Sequence, residues 1–436
     1  RLARSGLVEL CENDVEFDAA IRATLASPAR VRIDPAAGQV AVSHSALKVG
    51  EIADQLAADR VRVPRQRREA KVPQPAGTGT GRHRASAPRG PAVPVSPTPA
   101  PIAAPRQPRS TTEPAPVRVL FIGGWGRSGS TLAERLIAEM PDVVGAGEVT
   151  HLWQRALIDN ERCSCGKTLR DCPFWEKVGA EAFGGWERID PYDVLALKRR
   201  VDRTRNVGRL ALPARLNRRR DLARYTDLHR RLYAAIATVA GATVVIDSSK
   251  HISLASTLRH EPGIDLRVLH VVRDGRGVAY SWSKEVVRPE AASGTDALMP
   301  QYSILKSGLL WSTHNALFGV VKAAGARVMR LRYEDLMADP IGTLATIRSF
   351  ADLPAGVVDY IAPDADGAMV AQLSAPHSIA GNPMRFTSGG VKLRTDSAWR
   401  AAMPAPKRRL VTVLTWPGRV RYGYLDRARP SRRSTE

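Results

Sequence analysis

Residues 117–131, VRVLFIGGWGRSGST, constrain this chain more than any other stretch, because an apolar, β-branched run passes directly into a glycine-rich turn. Val117, Val119, Leu120, Phe121 and Ile122 predict a buried strand, and the run from Thr131 to Ile137 then takes helical spacing. Gly123, Gly124, Gly126 and Gly129 let the backbone turn tightly between the two. Free N–H groups at such a helix N-terminus point at an anion. Arg127 adds a fixed positive charge with five donors, and Ser128, Ser130 and Thr131 add hydroxyls.

Known loops compete for this string. Gly124-x-Gly126-x-x-Gly129 has the spacing of a dinucleotide fingerprint, and Glu148 follows Val143 and Val144 about twenty residues on, where a ribose-binding acid would sit. The same residues fit the Gly124-x4-Gly129-x-Thr131 spacing of a nucleotide triphosphatase loop, but Ser130 stands where the phosphate-binding lysine is needed. The ATPase reading therefore lacks its cation. A dinucleotide-dependent oxidoreductase and a non-catalytic nucleotide-binding module remain as alternatives at this point.

A second anion motif narrows the choice. DLRVLHVVRDGRGVAYS, residues 265–281, is another strand ending in Arg273, with a turn, a helix start and Ser281 eight residues on. Two cationic strand ends suit a ligand with two separate anionic groups. Here the chain resembles the sulfotransferases that use 3′-phosphoadenosine 5′-phosphosulfate as donor. FIGGWGRSGSTLAERLIAEMPDVVGAGEVTHL is similar to the tyrosylprotein type in its donor-binding motifs, and VIDSSK at 245–250, RYEDLMADP at 332–340 and GNPMRF at 381–386 extend the resemblance over roughly residues 117–425.

The resemblance implies a P-loop nucleotide-kinase-like fold, with the donor as co-substrate and no metal required. It implies that Gly126, Arg127, Ser128, Gly129, Ser130 and Thr131 wrap the 5′-phosphosulfate, that Arg273 and Ser281 hold the 3′-phosphate, and that Arg385 is a lid contact. Arg127 would also stabilise charge on the leaving phosphate. Glu148 matches the Gly-Glu after the second strand and is the expected general base, with His251, directly after VIDSSK, as the rival base. Lys250 is a candidate contact to the sulfuryl oxygens, Arg276 is equally a surface charge, and YEDL at 333–336 is read as structural. Trp125 stands where the family has a small residue or proline. The acceptor implied is a glycan, glycolipid or small metabolite, reached through a hydroxyl or amine.

Alternating apolar runs and helical stretches predict strands near 117–122, 143–147, 243–247, 266–272 and 327–332, and so a parallel α/β sheet of about five strands. The candidate residues fall at the carboxyl ends of these strands, where such sheets bind ligands. Residues 117–425 are the expected catalytic domain, followed by a basic tail at 426–436. Residues 61–116 read as a disordered linker, because the stretch from 64 to 116 holds thirteen prolines and almost no apolar periodicity. In the short segment 1–60, Val15 to Leu25 spaces apolar residues like an amphipathic helix. GLVELCENDVEFDAAIRATLA is similar to the C-terminal helices of some nucleotide-sugar glycosyltransferases, and with Arg1 at the start a truncated fusion is the expectation.

The net charge of +22 raises nucleic acid as a partner. About nine of those charges lie in the linker, however, and Lys198 to Arg231 carries thirteen basic residues against three acidic ones with few aromatics for stacking. No nucleic-acid partner is expected. That basic run is a solvated face or a landing site for an anionic acceptor or membrane surface. With no apolar run long enough to span a membrane and no signal-like start, a cytoplasmic protein is expected. Cys163-x-Cys165-x6-Cys172 leaves three readings open: reduced structural thiols, a disulfide, or a metal site whose fourth ligand is not evident.

Overall fold

Val117–Gly123 forms β1 at the centre of a five-stranded parallel sheet ordered β2-β3-β1-β4-β5, with β2 Val143–Gly145, β3 Val244–Lys250, β4 Ile264–Val272 and β5 Arg327–Arg332. The computed structural model describes residues 115–213, 219–287 and 298–425, which belong to the unit Pro114–Glu436. Segment 1–60, the linker up to residue 114 and the tail 426–436 lie outside the described residues. All five expected strands are present. The second is shorter than its expected span: beyond Gly145 the chain bridges Ile379 at Gly147, while the Gly147 carbonyl still accepts from Ser248 N–H of β3 at 2.8 Å.

Crossover helices follow from the parallel pairing. They include α1 Ser130–Ala138, α2 Pro173–Phe183, α3 Pro191–Val201, α4 Arg220–Ala240, α5 Ile252–Leu258, α6 Gly275–Trp282 and α7 Ile304–Ala323, while α8 Tyr333–Ala338 and α9 Pro340–Ala351 follow β5. The two-residue period of β1 sorts its side chains onto two faces. Val119 and Phe121 join the core that α2 and α4 cover, while Leu120 and Ile122 join the core under α1 and α9. A three-stranded antiparallel sheet, β6 Ile361–Pro363, β7 Met369–Leu373 and β8 Gly389–Lys392, completes the second core through Ile361, Ala371 and Leu373. Among the described residues, no helix is long and apolar enough to cross a membrane.

The strand order decides where chemistry can happen. The chain runs from β1 out to β2, returns to β3 beside β1, and then crosses to β4 on the other side. Loops leaving β1, β3 and β4 therefore diverge at one carboxyl edge, which opens a crevice there.

Two core histidines make this fold acid-sensitive. His229 bonds through Nδ1 with the Tyr225 carbonyl at 2.9 Å, and His270 pairs with Asn315 Oδ1 at 2.8 Å while stacking on Phe318. Burial pulls both imidazoles down to about 4. Each folded value lies below the unfolded one, so the stability is complete above about pH 6.5 and is lost as pH falls toward the folded value. Asp247 acts in the opposite direction, since burial raises its carboxyl to about 6 against the hydrogen bonds from Ser249 and Tyr233. From these three groups the net loss between pH 7 and pH 5 is expected to be about 2–3 kcal/mol, and His314, which burial also pulls down to about 4, adds to it; urea unfolding at the two pH values measures the sum. A gain in stability at pH 5 would show that the carboxylate outweighs the histidines.

Candidate functional site

The loop after β1 is held against the sheet by contacts that only its glycines allow. Gly124 N–H donates to the Lys250 carbonyl at 3.1 Å, and at its φ of 147° a Cβ would stand 2.3 Å from the Val271 carbonyl oxygen. Gly129, at φ 92°, precedes α1 and lies on the Tyr333 ring, 2.5 Å from where its Cβ would be. The loop borders a cleft of about 690 Å³ at the carboxyl ends of β1, β3 and β4.

Two residues of this cleft other than glycine, Arg127 and Lys250, carry left-handed backbone at φ 68° and 66°. Such geometry costs about 1–3 kcal/mol each and clusters at functional sites. The Arg127 guanidinium lies 5.1 Å over the Trp282 ring and 3.2 Å from Met299 Sδ, and among the described residues it has no carboxylate partner. Its buried Nε has no hydrogen-bond acceptor. Burial lowers its affinity for the proton, and the charge of Glu148 partly restores it. A desolvated cation aimed into a cleft is a site for an anion.

Arg273, one residue beyond β4, supplies the second cation. Its Nη1 donates to the Arg127 carbonyl at 3.3 Å, its Nη2 pairs with Asp396 Oδ2 at 2.9 Å, and the guanidinium lies 4.8 Å over the Tyr333 ring. Burial tends to raise the Asp396 carboxyl, but the Arg273 hydrogen bond and charge hold it below its ordinary value. Glu334 steadies the turn after Arg273, accepting from Asp274 N–H at 3.1 Å and from the Tyr424 hydroxyl at 2.6 Å. Glu334 of YEDL makes structural contacts, whereas Tyr333 of the same motif lines the cleft.

Glu148 and His251 line the same cleft, so the fold brings both candidate bases to one place. The Glu148 carboxylate pairs with Lys250 Nζ on one oxygen and lies 3.5 Å from His151 Nε2 on the other. Behind it, Glu134 of α1 accepts from Gly147 N–H at 2.7 Å and from Ser248 Oγ at 2.6 Å, which fixes the backbone entering Glu148. The His251 ring opens onto the cleft yet is walled by protein, and that desolvation, with the nearby Lys198 charge, lowers its pKa. Lys198 itself reaches from α3 to Thr150 Oγ1 at 2.6 Å.

Gly126, Gly129, Ser130, Thr131 and Ser281 line the cleft. Ser128 does not: it is buried beneath the loop, where its Oγ has no hydrogen-bond partner. Arg385 is also outside the lining, because its guanidinium is committed to the Ser378 and Arg162 carbonyls at 3.0 and 2.9 Å. Gly381, Asn382 and Met384 of the same motif line the cleft instead. Arg276 turns away into a pair with Asp274 at 2.7 Å.

Sequence reasoning missed the cleft's aromatic wall, where Trp125 stacks near Tyr302 at 6.0 Å and meets His314 at 4.6 Å, and Trp282 packs on Tyr302 at 4.5 Å. His151 was detectable, since it stands three residues from Glu148 in a short helix. Asp396, 123 residues from Arg273, had no local signal.

The sulfotransferase domain model matches residues 119–365 of the chain. No curated protein matches it. Among solved structures, the sulfotransferase domain from the Synechococcus PCC 7002 olefin synthase is similar over 72% of this chain and 98% of its own, at 19% identity and a TM-score of 0.36. The sulfotransferase domain from the curacin biosynthetic pathway is similar over 70% of this chain and 97% of its own, at 15% identity and a TM-score of 0.38. A Mycobacterium tuberculosis sulfotransferase covers 56% of this chain and 70% of its own, at 19% identity and a TM-score of 0.33.

Proposed function

The chain belongs to the sulfotransferase domain family, and from that premise we propose that its cleft binds 3′-phosphoadenosine 5′-phosphosulfate for transfer of the sulfuryl group to a hydroxyl or amine. The observation that supports this most is the meeting of two guanidiniums, the half-buried Arg127 and the buried Arg273, from adjacent strand ends in one cleft. One anionic group alone would not need both. When bound, the donor supplies an activated sulfuryl group whose S–O bond to phosphate breaks as the bond to the acceptor forms.

The residues divide the work by position. Arg127 neutralises charge growing on the leaving phosphate, and the N–H groups at the start of α1, with Ser130 and Thr131, hold the 5′ end. Arg273 and Ser281 hold the 3′-phosphate, which competes with the Asp396 carboxylate for the same guanidinium. Glu148 takes the acceptor proton, with Lys250 orienting its carboxylate and in reach of the sulfuryl oxygens; His251 is the alternative base. The wall of Trp125, Trp282 and Tyr302 offers flat apolar faces to an acceptor ring, which favours a glycan, glycolipid or small metabolite. A cytoplasmic location, where thiols stay reduced, belongs to the same proposal.

The dinucleotide reading loses support from topology. In dinucleotide-binding sheets the second strand lies beside the first, so its terminal acid reaches the ribose. Here β3 stands between β1 and β2, and Glu148 is engaged by Lys250 and His151.

Arg273→Ala is expected to weaken adenosine 3′,5′-bisphosphate by roughly 10- to 100-fold while barely changing adenosine 5′-phosphate, as measured by calorimetric titration of both. Equal losses for the two nucleotides would remove the 3′-phosphate assignment.

A further inference from the structure

Away from the cleft, the fold supplies the partner that the cysteine spacing lacked. His377 brings its Nδ1 to 3.3 Å from Cys172 Sγ and 3.8 Å from Cys163 Sγ, and Cys165 Sγ lies 3.6 Å from Cys172 Sγ. All four ligand atoms fall within 4.8 Å of one another. A tetrahedral zinc ion with ordinary Zn–S and Zn–N bonds sets its sulfurs about 3.8 Å apart and its sulfur and nitrogen about 3.6 Å apart. The two sulfur–nitrogen separations bracket their edge, and the sulfur–sulfur separation of 3.6 Å lies just under its own. Three thiols and an imidazole also form a donor set that favours zinc over hard, oxygen-seeking cations.

The surroundings are built for fixed ligands. Cys163 and Cys165 sit on a tight turn in which Cys163 N–H donates to the Lys167 carbonyl at 2.8 Å and Gly166 N–H donates back to Cys163 at 2.9 Å. Cys172 is the residue immediately before α2, so its Sγ is carried by the fixed backbone of an eleven-residue helix. The His377 ring stacks on Phe174 at 5.0 Å, and its carbonyl accepts from Trp175 Nε1 at 2.7 Å. These contacts fix the plane of the imidazole and the backbone that carries it.

We propose that Cys163, Cys165, Cys172 and His377 bind one structural zinc ion, which ties the 163–172 loop to a segment lying 214 residues from Cys163 and so secures the backbone beside Glu148. The link is short. Ser164 N–H donates to the Ser378 carbonyl at 3.1 Å, Ile379 N–H donates to Ala146 at 3.1 Å, and Glu148 N–H donates to the Ile379 carbonyl at 2.9 Å. The ion takes no part in sulfuryl transfer. It would fix a segment that the closing of a loop this long leaves expensive to order.

The test uses the full chain, expressed with zinc in the medium and purified without chelator. Elemental analysis is expected to find one zinc per chain, released as p-hydroxymercuriphenylsulfonate titrates Cys163, Cys165 and Cys172 beyond the fourth cysteine, Cys11, and read with a colorimetric zinc indicator. Cobalt substitution should give thiolate-to-metal charge-transfer bands and tetrahedral ligand-field bands. His377→Ala should lower retained zinc severalfold and speed amide exchange in residues 146–149 and 377–379. Should that variant fail to fold, the wild-type stoichiometry and the cobalt spectrum still decide. Trace zinc with Cys163, Cys165 and Cys172 all freely reactive, a Cys165–Cys172 disulfide found by mass mapping, or undiminished zinc in His377→Ala would each overturn the four-ligand site.

Discussion

Glu148→Gln is expected to lower kcat by about 10²- to 10⁴-fold while leaving donor affinity nearly unchanged, because general-base assistance contributes in that range and acts only in the transition state. The substitution keeps size and one acceptor oxygen. It removes the negative charge that pairs with Lys250 and faces His151, so the loss should appear in turnover and in the pH profile together. Steady-state kinetics across pH, with adenosine 3′,5′-bisphosphate affinity as the control, separates the two readouts. His251→Ala is the parallel measurement, since that imidazole is pushed toward its neutral, proton-accepting form by desolvation and by Lys198. Turnover that survives Glu148→Gln and collapses with His251→Ala would identify the histidine as the base. If neither change slows the enzyme, proton removal is not limiting and only the donor-binding half of the mechanism stands.

Arg127→Gly is expected to cost about 10²- to 10³-fold in kcat, the usual loss when one preorganised donor to developing charge is removed, yet to leave the fold as stable or more so. The opposite signs have one cause. Arg127 holds a left-handed backbone at φ 68° that glycine adopts freely, and its half-buried guanidinium has no carboxylate partner among the described residues. Relief of the backbone alone should add roughly 1 kcal/mol. Denaturant unfolding beside activity assays reads both effects. Arg127→Lys should recover only part of the activity, since an ammonium cannot bridge two oxygens as a planar guanidinium does. Parallel losses of stability and activity would mean that Arg127 is a structural residue and not an anion ligand.

Both variants test residues whose surroundings were unevenly legible. The loop of Arg127 was evident because strand, glycines and helix are consecutive, and the spacing alone predicts an anion site at a strand end. Glu148 was marked as a base, but its contacts with Lys250 and His151, and the Glu134 carboxylate fixing Gly147, depend on β3 and α1 packing together. Arg385 shows the converse. GNPMRF matches a cleft motif, and its Gly381, Asn382 and Met384 do line the cleft, whereas the arginine turns inward to the carbonyls of Ser378 and Arg162. Direction of a side chain cannot be read from a short irregular segment, because no regular period sets it.

By itself, the sequence determined the five parallel strands, the glycine loop at the first of them, and the two strand-end arginines. Those features come from residue patterns a few positions long, where period and backbone permissiveness act directly. Only the tertiary structure decided that β3 stands between β1 and β2, that Asp396 pairs with Arg273, and that His377 joins the three cysteines. Each of these joins residues 100 or more positions apart or sets neighbours in a sheet. Such contacts are fixed by strand order and crossover packing, and no local stretch of chain carries that information.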